Sequence, residues 1–190
     1  MKRISLTLCL AFLTVLFCQA QVAPLKFNKN GEFKIVQFTD IHFQYHNPAS
    51  AIALKRINEV LDAERPDLIV FTGDVVYAPP ADTAMRAVLD CASSRKIPFV
   101  VTFGNHDNEQ GKTRAELYDI IRSMPYNIQP DRGSVESPDY VLTVKSSDGK
   151  KDASVLYCLD SHSYSKLPDV KGYDLSLIHI SEPTRHSLIS

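Results

Sequence analysis

An excess of charge of either sign is the first thing this sequence lacks. Its 21 lysines and arginines stand against 22 aspartates and glutamates, a net of -1 over 190 residues. So even a balance gives no general reason to expect nucleic acid or an anionic membrane as partner. Cysteine is scarce too. Of the four present, Cys9 and Cys18 belong to the N-terminal stretch, which leaves Cys91 in a helical ALDCA and Cys158 in a strand-like LYCLD. Far apart and without a CxxC spacing, these read as buried thiols and argue against a disulfide framework or a dithiol redox centre. There is no internal repeat and no low-complexity segment, and no apolar run after the N-terminal stretch is long enough to span a membrane. What is present is ordinary globular composition, 44% apolar and 23% charged, in a length that suits one domain with a substantial core.

The two ends differ from the middle. Lys2 and Arg3, an apolar stretch from Ile4 to Phe17, and then Cys18-Gln19-Ala20 have the pattern of a secretory signal over residues 1–20. The expectation is export, to the periplasm or the cell exterior; bulky Phe17 before Cys18 argues against a lipid anchor there. At the other end, LSLIHISEPTRHSLIS departs from the strand-helix rhythm that precedes it. Translated backwards, it resembles a transposase adapter used to build sequencing libraries. Residues 175–190 are therefore expected to be a non-native tail, and His179 and His186 are left out of any ligand set. The expected domain is 21–174.

Between the ends, Phe33 to Thr39 reads as a strand. Ala51, Ile52, Leu54, Ile57, Val60 and Leu61 recur at helical spacing within a helix expected over 49–63, which Arg65-Pro66 ends. Asp67 to Phe71 is a continuous apolar run without alternation, as in a strand covered on both faces. Helices are expected over 82–94 and 112–124, with a strand over 98–103 between them. The layout is β-α-β-α-β-α, an α/β fold with a buried, largely parallel sheet. Beyond Pro125, strands expected over 140–144 and 154–159, joined by the turn-rich SSDGKKD, begin another layer.

Each of the three apolar strands closes on a polar cluster: Asp40-x-His42, Gly73-Asp74 and Gly104-Asn105-His106-Asp107. A parallel sheet brings all three to one edge, where ligands of such folds bind. Carboxylate, imidazole and amide oxygen together suit Zn, Mn or Fe better than Ca, which prefers oxygen alone. Two such ions bridged by a carboxylate suit phosphoryl chemistry. Gly73 and Gly104 let the backbone turn sharply so that the next side chain points inward. Taken singly, each cluster is as well explained by a turn or a solvated helix cap; their order, each closing an apolar strand, favours a site.

FTDIHF, FTGDVV and FGNHDN stand where calcineurin-like metallophosphoesterases carry D-x-H, G-D-x and G-N-H-D/E. From Phe33 to Asp174 the chain resembles that family, in particular an exported bacterial branch related to purple acid phosphatases. The resemblance implies the N-terminal part of a four-layer α/β/β/α sandwich. It also implies two divalent or mixed-valence metal ions (Mn, Fe or Zn), with Asp40 and His42 on the first, Asp74 bridging and Asn105 on the second. His106 would lie beside a phosphate-ester substrate, stabilising the transition state or protonating the leaving oxygen, with Asp107 orienting its ring. The implied reaction is in-line attack by a metal-bound hydroxide without a covalent enzyme intermediate. Tyr77 stands where purple acid phosphatases place a tyrosinate, but those enzymes lack a histidine at the position of His42, so His42 is preferred as ligand. His46 is read as a solvated loop residue; His162 lines the cleft or is a surface residue after a strand. The family's further ligands, a histidine after a later strand and a G-H-x-H pair, have no counterpart here. The resemblance thus implies a parent that continues past Asp174, and a chain that as written binds metal weakly, hydrolyses little and lacks the second sheet layer. The alternative is a phosphatase-fold module that binds a phosphorylated or sugar ligand without catalysis.

Overall fold

An apolar run with no polar position to offer solvent has to be covered on both sides. Residues Leu68–Thr72 form such a strand, β2, the middle of a three-stranded parallel sheet in the computed structural model, which describes residues 22–165 and 172. On its flanks are β1 (Ile35–Phe38) and β3 (Phe99–Thr102), with Ile35 opposite Leu68 and Ile69 opposite Phe99. Helices α1 (Ala51–Glu64), α2 (Ala81–Ser93) and α3 (Arg114–Arg122) follow the three strands in turn. This is the alternation that the sequence predicts.

Successive strand residues point to opposite faces. Ile69, Phe71, Phe99 and Val101 pack with Leu61 of α1, Met85 and Leu89 of α2, and Leu117, Tyr118 and Ile121 of α3. All three helices therefore lie on one face. Leu68 and Val100 face the other way, into a second core with Leu25, Tyr140, Leu142, Val144 and Cys158. Cys91 belongs to the helix-side core, so the sheet stands between the two thiols, and burial pushes both above the ordinary thiol value. Neither is placed to act as a nucleophile.

The second core is roofed by an antiparallel pair, β4 (Tyr140–Lys145) and β5 (Asp152–Cys158). This is the further layer expected beyond Pro125, and it corrects the expectation that the second sheet is lacking: two of its strands are present and cover Leu68 and Val100. Tyr140, Leu142 and Val144 turn inward, while Val141, Val155 and Tyr157 stay exposed on the outer face. Residues 1–20 and 175–190, with the expected signal, the adapter-like tail, Cys9, Cys18, His179 and His186, lie outside the described residues. Among the described residues no helix is long and apolar enough to cross a membrane.

The third helix starts two residues later than its apolar pattern suggests, because Thr113 caps it. The Thr113 hydroxyl accepts from the Glu116 N–H, and the Glu116 carboxylate accepts from the Thr113 N–H at 2.9 Å, a reciprocal box that satisfies two otherwise unpaired donors. Next to the cap, the buried Arg114 guanidinium donates to Asp160 after β5 (2.6 Å), to the Gly104 carbonyl (3.0 Å) and to Asn108 (3.2 Å), and lies over the Phe103 ring. One side chain thus ties α3, the turn after β3 and the segment after β5.

Two outcomes follow from these contacts. Arg114→Ala strands the Asp160 carboxylate in the interior and is expected to cost about 3–5 kcal/mol, read from urea unfolding. Glu116 is held down at about 2, first by the Thr113 backbone N–H and then by Lys112 and the Thr113 hydroxyl, below its ordinary 4.5. Its folded value lies below its unfolded one, so the cap's contribution is present above about 4.5 and is lost as pH falls toward about 2. Denaturant titrations across that range are expected to show a shallower acid decline in Glu116→Gln.

Candidate metal centre

The polar clusters after β1, β2 and β3 reach one edge because the strands are adjacent and parallel. The ladder between the first two continues beyond the strands. Asp40 N–H donates to the Gly73 carbonyl (3.2 Å), His42 N–H to the Asp74 carbonyl (2.9 Å) and Phe43 N–H to the Val75 carbonyl (2.9 Å). Asp40, His42 and Asp74 are all left-handed, with φ of 52°, 48° and 50°. Such a conformation in a non-glycine residue costs of order 1–3 kcal/mol and persists only where its surroundings impose it.

The second and third tips meet through their glycines. Gly73 has a φ of +94°, as a sharp turn requires; a Cβ on it would stand 2.4 Å from the Gly104 nitrogen. A Cβ on Gly104 would stand 2.1 Å from Asp74 Oδ1. What Gly104 supplies is thus the absence of a side chain where the Asp74 carboxylate must lie, not the sharp turn expected of it.

Asp107 holds this junction. Its buried carboxylate accepts from the N–H groups of Asp74 (3.0 Å), Val75 (2.8 Å), Val76 (3.1 Å) and Gly104 (2.8 Å). Burial raises its carboxyl above the ordinary aspartate value against the downward pull of those donors. The expected role of Asp107, orienting the His106 ring, is therefore corrected: its oxygens are taken up by backbone. The ring is met by Glu109 instead, with Oε2 2.6 Å from Nδ1. That bond holds the imidazole above its ordinary value and the Glu109 carboxyl below its own.

His42, Asp74 and His106 come together. One ligand atom of each lies within 4.8 Å of the others, and this is the one such group of His, Cys, Asp or Glu among the described residues. His42 Nε2 is buried, has no hydrogen-bond partner and stands 3.5 Å from Asp74 Oδ2. A buried polar atom without a partner calls for an explanation, and a cation shared with the neighbouring carboxylate supplies one. The imidazole of His42 with the Asp74 carboxylate suits a Zn-, Mn- or Fe-type ion, and His106 stands beside them.

The other expected residues are placed differently. Asp40 stands on the same edge, but its exposed carboxylate accepts from the Thr39 hydroxyl (2.6 Å) and is not part of the group. Asn105 donates its amide to the Tyr164 hydroxyl (3.3 Å). The Tyr77 ring stands edge-on to both His42 and His106, with centroids 5.0 Å from each, and so walls the cluster. His46 is exposed against Tyr45. His162 is exposed and left-handed, with its N–H on Asp160. Two residues of the site went unread in the sequence. Glu109 carried a signal, since it follows His106 at the spacing of one helical turn; Tyr164, distant in sequence from Asn105, carried none.

With this geometry in place, residues 33–181 match the family model described as calcineurin-like phosphoesterase. The chain is similar to "Probable inactive purple acid phosphatase 29" of Arabidopsis thaliana, 34% identical over 82% of this chain and 47% of that protein. It is similar also to "Phosphatase DCR2" of Saccharomyces cerevisiae, 30% identical over 76% of this chain and 29% of that protein. A third relative is "UDP-2,3-diacylglucosamine pyrophosphatase LpxG" of Chlamydia trachomatis, 31% identical over 44% of this chain and 25% of that protein. The chain spans less than half the length of each.

Gly104→Ala tests the junction. The new Cβ must displace Asp74, so the variant is expected to lose about 1–3 kcal/mol of stability by overpacking. Its affinity for Zn or Mn is expected to fall by about tenfold or more in titration calorimetry, as when the support of a ligand is disturbed.

Proposed function

The chain belongs to the calcineurin-like phosphoesterase family, and from that premise we propose that it is a metal-dependent hydrolase of phosphate esters. The observation that carries this reading is the buried, unpartnered Nε2 of His42 beside the Asp74 carboxylate, with His106 in the same group. In this reading Asp40, His42, Asp74 and Asn105 would together hold two ions. Divalent cations there supply Lewis acidity, acidifying water and offsetting negative charge on phosphate oxygens.

The chain's own groups do the rest. Asp74 is aimed by the backbone bonds of Asp107 and by the His106 N–H, which donates to its Oδ1 at 2.9 Å. Protonated His106 carries a hydrogen on each ring nitrogen; with Nδ1–H on Glu109, its Nε2–H would donate to an equatorial phosphate oxygen or give its proton to the leaving oxygen. Tyr77 packs against both imidazoles and limits how far either ring can swing. The names of two relatives, a phosphatase and a pyrophosphatase, support a phosphoryl group as the part of the substrate that is recognised. Export belongs to the same proposal and rests on the charged and apolar pattern from Lys2 to Ala20.

A second reading is favoured by one finding: relatives named as purple acid phosphatases 29 and 14 are both called probably inactive. In that reading the site binds a phosphorylated ligand without turnover. The test is hydrolysis of an aryl phosphate by this chain and by a chain carrying its genomic reading frame past Asp174, with Mn and with a chelator. Turnover that needs Mn, and that falls about 100-fold or more in His42→Ala or Asp74→Asn, is expected from the several kcal/mol a Lewis-acid cation supplies. Binding of inorganic phosphate with no metal-dependent turnover in either chain favours the second reading.

A further inference from the structure

A reacting imidazole needs its other ring nitrogen held, because the partner there sets both the tautomer and the direction in which the free nitrogen points. The sequence neighbour of His106 does not serve, since the Asp107 carboxylate is spent on four backbone N–H groups. We propose that Glu109 is the positioning residue of His106, and that Tyr164, brought in by the segment after β5, holds Glu109 in turn. The assignment rests on reading the site as a phosphoesterase centre.

Three observations carry it. Glu109 Oε2 is 2.6 Å from His106 Nδ1, in a single 3-10 turn (Asp107–Glu109) whose Glu109 N–H donates to the His106 carbonyl at 3.1 Å, so the turn itself sets the spacing of the pair. The Tyr164 hydroxyl accepts from the Asn105 amide at 3.3 Å and helps to hold the Glu109 carboxyl below its ordinary value, which joins the residues on either side of the ring. The segment that bears Tyr164 is anchored at Asp160, buried on Arg114, and Arg114 also donates to the Gly104 carbonyl at the base of the same turn. The hydroxyl and the turn are thus fixed to one guanidinium. A carboxylate at Nδ1 requires the hydrogen there and leaves Nε2 for the phosphate. Glu109 does not touch substrate in this account; it acts through the ring.

The test is proton-nitrogen NMR of the histidine rings in the full 190-residue chain in mildly alkaline buffer, with His106→Ala identifying the signal. The wild type is expected to show His106 with its hydrogen on Nδ1. Glu109→Ala is expected to shift the ring toward the Nε2–H tautomer without disturbing amides outside the turn, and Tyr164→Phe to produce a smaller shift in the same sense. In hydrolysis, Glu109→Ala is expected to lower kcat by about 10- to 100-fold with little change in KM. An unchanged His106 tautomer in Glu109→Ala overturns the proposal, and so does a raised KM at unchanged kcat. Inorganic phosphate added with Zn reports on the site reading separately. A ring whose tautomer follows residue 109 but which does not respond to phosphate supports the positioning role and overturns the phosphoesterase reading.

Discussion

One buried carboxylate organises this sheet edge. Asp107 accepts four backbone N–H groups, three from the segment after β2 and one from the turn after β3. Each hydrogen bond to a charged acceptor contributes about 1.5–3 kcal/mol, the same order as the strain of one left-handed ligand residue. Four of them on a single carboxylate are therefore enough to hold Asp74 in a conformation it would otherwise leave. The bonds also bring the tips close enough that neither Gly73 nor Gly104 has room for a Cβ, and this proximity is what sets the Asp74 carboxylate between His42 and His106.

The rest of the fold makes that junction rigid. Helices on one face and the hairpin on the other leave β2 and β3 almost wholly buried, so neither tip moves without disturbing a core. The β1 side is looser, since Ile35 is 39% exposed and Asp40 faces solvent. This difference explains why Asp74 and the two histidines gather while Asp40 stands apart: its strand is held from one side alone in this sheet, and its carboxylate takes the nearest donor, the Thr39 hydroxyl.

Much of this was legible in the sequence, and the misses have physical causes. A continuous apolar run announces a doubly covered strand, which is why β2 and β3 were readable almost to the residue. The three polar clusters could be placed on one edge from strand order alone. That Asp107 orients the His106 ring is implied by the family resemblance alone, and no local pattern tests it; on the 3-10 turn the carboxylate of Asp107 turns to the backbone, and Glu109, one turn on, is the residue that returns to the ring. The Arg114–Asp160 pair joins positions 46 apart, and no local pattern announces such a contact. The role of Gly104 was half read, because a glycine needed for its φ and a glycine needed for its missing side chain look the same in a sequence.

The residues at this edge work against the stability of the chain that carries them. Three left-handed non-glycine residues and a buried imidazole nitrogen without a hydrogen-bond partner each disfavour the folded state. A turn of glycine and serine with an apolar edge would cost less. What such a turn would lack is any preference for a cation, whereas here a bound ion would relieve the orphaned nitrogen and the carboxylate together, and binding to the folded chain alone would stabilise it by mass action. Strain confined to one edge of an otherwise consistent fold is the pattern expected when a site, and not the core, has set the sequence. The Asp107 junction and the Arg114 clamp are what allow the chain to sustain that strain.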